Sequence, residues 1–461
     1  MKRPLLALMV TPLGVALLVW AVIETDSAPS RRPPRTEPVA GPRAVPAVPR
    51  GTLSGLVVYV SAGHGWLLHR VHADGAPIAW GRQRDHRFGM VEDDWTAGFV
   101  ADALAPALEA EGATVIALRE RDRNPVALVV DDADPAFAAF GIGGRRERAM
   151  AERGTDVGLV PGGSATWALE VPTDGQWYAY ARWTGSPDQD DRAVYTVVAG
   201  DEVREVVVDQ RNHGGHWWPL GDFCLPAGTR VEITLTGSGQ TPLSADAVRL
   251  GGGTFGIVLP WSFELKQEPY WSVAMPHQIE RLGGPGDFEA YTCGNAVSDM
   301  RLRPHWATWA AANNEEAVYL SIHTNASPRG RAQGLTVFYG IDNDPVTAAD
   351  PESVRLSALL EQSIHESVSA RDPGYRTRGV QPGNFSEVSP VHNRLTASLL
   401  EMGFHTDAAD AKRMQTRRFQ EDAAEGIVQG LVAWRAGVPA GLELPLAPPG
   451  WVEDEGWVLL E

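Results

Sequence analysis

Cysteine and lysine are the residue types this chain nearly does without. Of its 461 residues only Cys224 and Cys293 are cysteine. They form no C-x-x-C pair and cannot build a disulfide framework. In an exported chain they could pair once; otherwise they are two unpaired thiols. Lysine occurs only as Lys2, Lys266 and Lys412, a bias we ascribe to codon usage. Basic residues number 40 against 58 acidic ones, for a formal net charge of −18. Binding to nucleic acid needs a basic face, so that partner is excluded. The chain has no G-x-S-x-G elbow, so serine hydrolysis has no support. His365-Glu366-Ser367-Val368-Ser369 begins like H-E-x-x-H but lacks the second histidine, and reads as plain helix surface.

What is present is an ordinary globular composition, 44% hydrophobic and 21% charged, long enough for two or three domains. Lys2 and Arg3 precede an apolar stretch from Pro4 to Ile23, interrupted at Thr11, Pro12 and Gly14. This is an export pattern, close in length to the roughly 20 residues of a membrane span. Residues 1–26 are therefore a signal peptide or an N-terminal membrane anchor, and the rest faces an extracytoplasmic space, periplasmic or external. Residues 27–50, rich in Pro, Arg, Ala and Ser, cannot bury a core and read as an extended linker.

Order begins at Leu56–Val60, an apolar run suited to a buried strand. A helix is expected over Asp93–Ala110, with Pro106 as its weak point, and a strand over Ala113–Arg119. This β-α-β order implies parallel pairing. From 124 to 253 the pattern changes to short β-rich runs separated by turns: Ala165–Val171, Trp177–Trp183, Ala193–Val198, Val206–Asp209 and Arg230–Thr236. Such spacing predicts a β-sandwich. The α/β pattern then resumes. Pro260–Asp299 is irregular. Strands are expected at Ala317–Ile322, Leu335–Tyr339 and Thr396–Leu400, and helices at Val354–Val368 and Lys412–Trp434. The expected fold is thus α/β, a twisted and mostly parallel sheet flanked by helices, built from residues 51–123 and 254–440. An all-β sandwich, 124–253, interrupts it, and 441–461 form a C-terminal tail.

Three polar groups fall at the carboxyl ends of apolar strands: His64, His323 and Glu401. Ligand sites of open parallel sheets form at that edge. Glu92 opens the first helix. Two histidines and a carboxylate match the three protein ligands of a catalytic zinc, which keeps a position open for water. Glu92 would be the third ligand, with Asp93 or Asp94 as substitutes, leaving Glu401 free to move protons.

In order along the chain stand Val60-Ser61-Ala62-Gly63-His64-Gly65, Glu92 opening a helix, Arg119-Glu120-Arg121-Asp122, Arg301-Leu302-Arg303, Ser321-Ile322-His323-Thr324-Asn325-Ala326-Ser327 and Leu400-Glu401-Met402-Gly403-Phe404. This set resembles the zinc-dependent N-acetylmuramoyl-L-alanine amidases of the cell-wall hydrolase type, over roughly residues 55–123 and 300–435. The resemblance implies Zn²⁺ held by His64, Glu92 and His323, Glu401 as catalytic carboxylate, and peptidoglycan as substrate. A protein activator is neither implied nor excluded. The chain departs from the family at Trp66, in a long loop between His64 and Glu92 carrying His69, His72 and His86, and at His405-Thr406-Asp407. Competing readings are an inactive, glycan-binding amidase fold and a zinc carboxypeptidase acting on wall peptides.

The insert is similar to the sandwich module found beside golvesin and xanthan lyase, in Val171-Pro172-Thr173-Asp174-Gly175-Gln176-Trp177-Tyr178, Asp209-Gln210, Trp218-Pro219-Leu220-Gly221 and Ala245-Asp246-Ala247-Val248-Arg249. That likeness implies a carbohydrate-binding role. Trp167, Trp177, Trp183, Trp217 and Trp218 could stack on sugars, although sandwich core and structural turns are the more ordinary roles for most of them. Trp217 and Trp218, beside His213 and His216 in a Gly-rich loop, are the tryptophans expected to be exposed for glycan binding.

Overall fold

The computed structural model describes residues 43–44, 51–253, 275–284 and 296–440, apart from residues 65, 70–78, 83, 85, 120, 123, 125, 313–314, 343–348 and 391 within those ranges. The signal or anchor segment, most of the linker, the tail, His72 and Cys293 lie outside the described residues. Among these residues no helix is long and apolar enough to cross a membrane.

Six strands form the central sheet, in the order Thr377–Gly383, Leu335–Gly340, Thr396–Phe404, Ala317–Asn325, Val57–Ala62 and Thr114–Ala117. Every neighbouring pair is parallel except Leu335–Gly340 with Thr396–Phe404. Val57–Ala62 is buried at all six positions, as a continuous apolar run in a parallel sheet should be. Alternate residues serve different cores, because side chains alternate across a strand. Val58, Val60, Leu320, Ile322 and Leu400 pack with Leu356, Leu360, Ile427 and Leu431 of the helices Pro351–Ser369 and Arg417–Arg435. Asp350 caps the first of these, accepting from the amides of Glu352 and Ser353, with Pro351 at the first turn where its missing N–H is no loss. The two helices nearly touch: a Cβ on Gly426 would lie 2.6 Å from Ile364 Cα.

The expected helix near Asp93–Ala110 starts at Glu92 and runs to Phe99, widens into a π-helical stretch over Val100–Leu104, and returns to α over Ala105–Ala110. Pro106 cannot donate to the carbonyl four residues back, and the widened turn stands directly before it. The helix Ala296–Ala310 falls partly within the stretch read as irregular. Its Pro304 and lack of an apolar stripe hid it.

Residues 127–251 form two facing antiparallel sheets. One contains Glu202–Val208, Ala193–Ala199, Arg230–Thr236, Thr155–Glu170 and Leu243–Ala245, with Phe137–Glu147 also pairing on Thr155–Glu170. Arg43–Ala44 pairs in parallel with Glu202–Val203. The other contains Trp218–Leu225, Gly175–Arg182, Ala247–Gly251 and Ala127–Asp131. Ala193–Ala199 alternates buried and less buried residues, as a sandwich strand must. Trp167, Trp177, Trp183 and Tyr195 are fully enclosed between the sheets. This core does not stop at the insert. It continues through Ile116, Leu118, Tyr59, Tyr319 and Trp306, on the second face of the catalytic sheet.

Candidate functional site

The loop after Val57–Ala62 lies against the end of Ala317–Asn325. The Gly63 amide donates to the Ile322 carbonyl at 2.8 Å. A Cβ at Gly63 would stand 2.5 Å from His323 Nδ1 and Cε1, so only glycine lets the two histidine-bearing segments meet. His64 then adopts φ of 60°, a left-handed conformation that costs a non-glycine residue about 1–2 kcal/mol. Its carbonyl is held by Arg303 Nη2 at 2.5 Å.

Glu92 is fully buried at the start of its helix. With Asp93 and Asp94 it faces the positive end of the helix dipole. Thr96 Oγ1 and Arg119 Nη2 donate to the Gly63 carbonyl at 2.9 and 3.4 Å, and Arg119 Nη1 to the Asp93 carbonyl at 2.8 Å. These contacts lock the helix start to the His64 loop. Glu92 Oε1 accepts from the Thr324 amide at 2.8 Å and lies 3.2 Å from His64 Nε2 and 3.3 Å from His323 Nδ1. The rings of His64 and His323 are perpendicular, with centroids 4.8 Å apart.

Ligand atoms of His64, Glu92 and His323 all lie within 4.8 Å of one another, and this is the group among the described residues able to hold a metal. The donors fit a cation. His323 Nε2 donates to the Glu387 carboxylate at 2.6 Å, which leaves Nδ1, 3.3 Å from Glu92 Oε1, as the ring atom facing the cluster. With no cation there a proton on Nδ1 holds the two groups together; a metal ion would displace that proton and take its place between them. His64 Nδ1 and Glu92 Oε2 are buried without hydrogen-bond partners among the described residues. Asp93 and Asp94 do not join the group.

Glu401 pairs in register with His323 across adjacent parallel strands. It is half-buried, and its Oε2 is buried with no hydrogen-bond partner among the described residues. Burial pushes its carboxyl up to about 8, against the pull of His323 and with the repulsion of Glu92. Glu92 goes the other way: despite burial, His64 and His323 hold it well below the usual carboxylate range. Burial opposes charge on His323, yet Glu387, Glu92 and Glu401 raise it to about 10.

Three further groups near this cluster were not among the site residues expected from the sequence. Arg84, from the long loop, brings Nε to 3.3 Å from Glu92 Oε2. His405 is buried and places Nδ1 3.6 Å from the same oxygen while sharing a 2.9 Å hydrogen bond with Thr324 Oγ1; its place after Gly403-Phe404 was the only hint. Glu387, in Asn384-Phe385-Ser386-Glu387, had no signal beyond being a carboxylate near an apolar segment. His365 sits on its helix with Nε2 near the Tyr375 carbonyl, 3.3 Å away, apart from the cluster. His86 is exposed.

The expected exposure of Trp217 and Trp218 is corrected: they are 4% and 6% exposed. The Gly214-Gly215 turn folds this loop onto the helix Ala296–Ala310. There His213 Nδ1 donates to the Ala310 carbonyl at 2.9 Å, and the His216 ring meets Trp306 and Trp309. Trp218 packs on Trp183 and His213. Trp217 lies under the guanidinium of Arg249, and its amide donates to the Leu282 carbonyl at 2.7 Å. Both rings seal the junction between sandwich and sheet. Cys224 is exposed.

A mostly parallel sheet with a buried His₂Glu cluster near its strand ends, and beside it a carboxylate whose Oε2 has no hydrogen-bond partner among the described residues, defines an α/β domain with a candidate metal site. Residues 296–433 match the N-acetylmuramoyl-L-alanine amidase family, and residues 148–252 match the golvesin C-terminal domain. The chain carries an N-acetylmuramoyl-L-alanine amidase domain joined to a golvesin C-terminal domain. The amidase match includes His323 and Glu401, whereas His64 and Glu92 precede the insert. The chain is 26% identical over 121 residues to the uncharacterized protein YqiI of Bacillus subtilis (26% of this chain, 52% of that protein). It is 26% identical over 124 residues to the N-acetylmuramoyl-L-alanine amidase LytC of the same organism (27% and 23%). The crystal structure of N-acetylmuramoyl-L-alanine amidase from Clostridium difficile 630 is 24% identical, covering 31% of this chain and 67% of that one at a TM-score of 0.25. The chain thus spans about half of the first relative and about a quarter of the second.

Proposed function

We propose that this chain is a zinc-dependent N-acetylmuramoyl-L-alanine amidase acting on peptidoglycan outside the cytoplasm. The observation that carries the reading is the convergence of His64, Glu92 and His323 within 4.8 Å beside Glu401, in a chain whose residues 296–433 match the amidase family. His64, Glu92 and His323 would hold Zn²⁺, which supplies a Lewis acid to polarise the scissile carbonyl and makes water acidic enough to attack near neutral pH. The bond cut joins the lactyl carbonyl of N-acetylmuramic acid to the amino group of L-alanine. Glu401 takes one proton from the attacking water as the C–O bond forms. It delivers that proton to the leaving nitrogen as the C–N bond breaks, so the stem peptide departs as a free amine. Arg84, 3.3 Å from Glu92, supplies a preorganised positive charge at the edge of the site for the developing oxyanion. The Thr324 amide holds Glu92 Oε1 and His405 lies beside Oε2, which together fix the carboxylate's orientation. Export by the N-terminal segment, cleaved or retained, would place the enzyme at its substrate.

Mass spectrometry of digested peptidoglycan tests this. Free stem peptides beginning with L-alanine, together with glycan strands bearing unsubstituted lactyl groups, are expected from zinc-loaded protein and not after chelation. Release of D-alanine alone would replace the reading with a carboxypeptidase. Binding to the wall with no new product would leave an inactive amidase fold.

A further inference from the structure

Beside the candidate ligands lies a buried ion pair whose carboxylate, Glu387, belongs to none of the motifs and neither of whose members the mechanism uses. Glu387 and Arg303 are 4% and 3% exposed, with Arg303 Nη1 3.3 Å from Glu387 Oε1. Glu387 is surrounded by donors. Its Oε1 accepts from Ser61 Oγ at 2.5 Å and Tyr319 Oη at 3.1 Å, and its Oε2 from Ser321 Oγ at 2.8 Å and His323 Nε2 at 2.6 Å. Among the described residues the partners of its oxygens are donors and a guanidinium, so it is an ionised acceptor. The other half of the pair reaches the other histidine. Arg303 Nη2 donates to the His64 carbonyl at 2.5 Å, and Nη1 to the Ala62 carbonyl at 3.5 Å. One ion pair thus touches the ring of one candidate ligand and the left-handed peptide of the other.

We infer that Glu387, together with Arg303, is a positioning residue of the metal centre: Glu387 holds the His323 proton on Nε2 so that Nδ1 faces the metal, and Arg303 holds the strained His64 peptide in register with it. This rests on the reading of His64, Glu92 and His323 as zinc ligands. A carboxylate behind a ligating imidazole sets its tautomer and ring orientation and raises its basicity. Here the same carboxylate is anchored to Ser61, Tyr319 and Ser321, residues of the two strands that carry the histidines. Ring orientation is therefore tied to the register of the sheet. Burial of an ion pair is poor evidence of a stabilising role, since desolvation offsets much of the attraction. A placement that contacts both histidines has a reason beyond stability.

The test uses the full chain and three variants. Glu387→Gln keeps size and removes charge. Glu387→Asp keeps the charge opposite Arg303 but is one methylene too short to reach His323. Tyr319→Phe deletes one hydrogen bond to Glu387 and leaves His323 held. Zinc affinity by chelator competition, the visible spectrum of the Co²⁺-substituted protein and melting temperature are measured on each, with kcat and KM for stem-peptide release. Gln and Asp are expected to bind zinc about 10–100-fold more weakly, with shifted Co²⁺ bands and lowered kcat at unchanged KM. Phe is expected to keep wild-type affinity and bands. A folded Gln or Asp variant with wild-type zinc affinity and spectrum overturns the proposal, and so does a Phe variant that loses zinc equally. If Gln fails to fold, Asp decides. Wild-type protein that binds zinc in this Glu387-dependent way yet releases no stem peptide refutes the amidase reading alone. Wild-type protein that binds no zinc refutes both.

Discussion

Replacing Glu401 by Gln separates a proton carrier from a ligand and from a structural residue. Glu401 Oε2 is buried with no hydrogen-bond partner among the described residues, so the substitution breaks no bond at that atom. Size is kept, and a neutral amide is easier to bury than an unpaired carboxylate. Melting temperature is therefore expected to stay level or rise. The chemistry is not spared, because Gln cannot accept the proton of the attacking water. Loss of a general base lowers rates by about 10²–10⁴, or roughly 3–5 kcal/mol of barrier at about 1.4 kcal/mol per factor of ten. The assay is release of stem peptide from purified peptidoglycan, with bound zinc and thermal melting measured on the same preparation. Zinc at wild-type stoichiometry, an unchanged melt and a kcat lowered by that factor are the expected result. Turnover within a few-fold of wild type refutes the reasoning outright. Loss of zinc together with activity places Glu401 among the ligands and removes the proton carrier proposed here.

Gly63→Ala would put a methyl group 2.5 Å from the His323 ring; weakened zinc binding by at least tenfold in protein that still folds is expected from chelator competition. Replacing residues 124–253 by a short linker would bare Tyr59, Ile116, Leu118 and Trp306, which share the sandwich core; at about 25 cal/mol per Å² of apolar surface, insoluble or molten protein is expected, visible as loss of the cooperative melt. The converse fragment, 124–253 alone, retains Trp167, Trp177, Trp183 and Tyr195 between its sheets and is expected to melt cooperatively. Asp246 is pushed by burial from 3.8 up to about 8. The folded state therefore holds a proton that the unfolded state releases, and stability falls as pH rises from about 4 to about 8. Asp246→Asn should remove that part of the slope, so the gap between variant and wild-type melting temperatures should widen across this window. A constant gap counts against it.

Much of the site was legible in the sequence because its residues follow apolar strands. Val57–Ala62, Ala317–Asn325 and Thr396–Phe404 are buried on both faces and nearly free of polar interruption, so His64, His323 and Glu401 stand out where each run ends. Glu92 was legible as an acid opening a helix. Less visible were groups whose position depends on a loop: Arg84 in the long segment before Glu92, His405 after the last strand, and Glu387 in a segment with no periodicity. Their signal is tertiary. The long strands Phe137–Glu147 and Thr155–Glu170 were also obscured. Gly141, Gly143, Gly144, Gly162 and Gly163 interrupt their alternation, and the pairing shifts register between Phe140 and Gly144. Trp217 and Trp218 misled for a related reason: a Gly-rich loop holding two tryptophans reads as a surface loop until the sheet it packs against is known.

The insert divides the candidate site, His64 and Glu92 on one side and His323 and Glu401 on the other, and the geometry limits what that division costs. Closing a flexible loop of some 130 residues would cost about 4 kcal/mol in chain entropy, before any contact between the halves repaid it. The insert is not a flexible loop. Its entrance and exit touch, with the backbone of Gly253 against that of Asp122, and Ala127–Asp131 pairs with Ala247–Gly251 just inside them. Once the sandwich has formed, the chain enters it at Asp122 and leaves it at Gly253 at nearly one point, so the insert closes about as cheaply as a tight turn. The sandwich then adds Trp218–Leu225 and the His213–Trp218 loop to the open side of the sheet, where Trp306 and Tyr59 would otherwise face water. Arg303, three residues before Trp306 on the same helix, reaches the His64 carbonyl. The packing that buries the insert's tryptophans therefore also seats the helix that holds the metal-site loop, and an alteration at the Trp306 junction should be felt at His64 without touching the cluster itself.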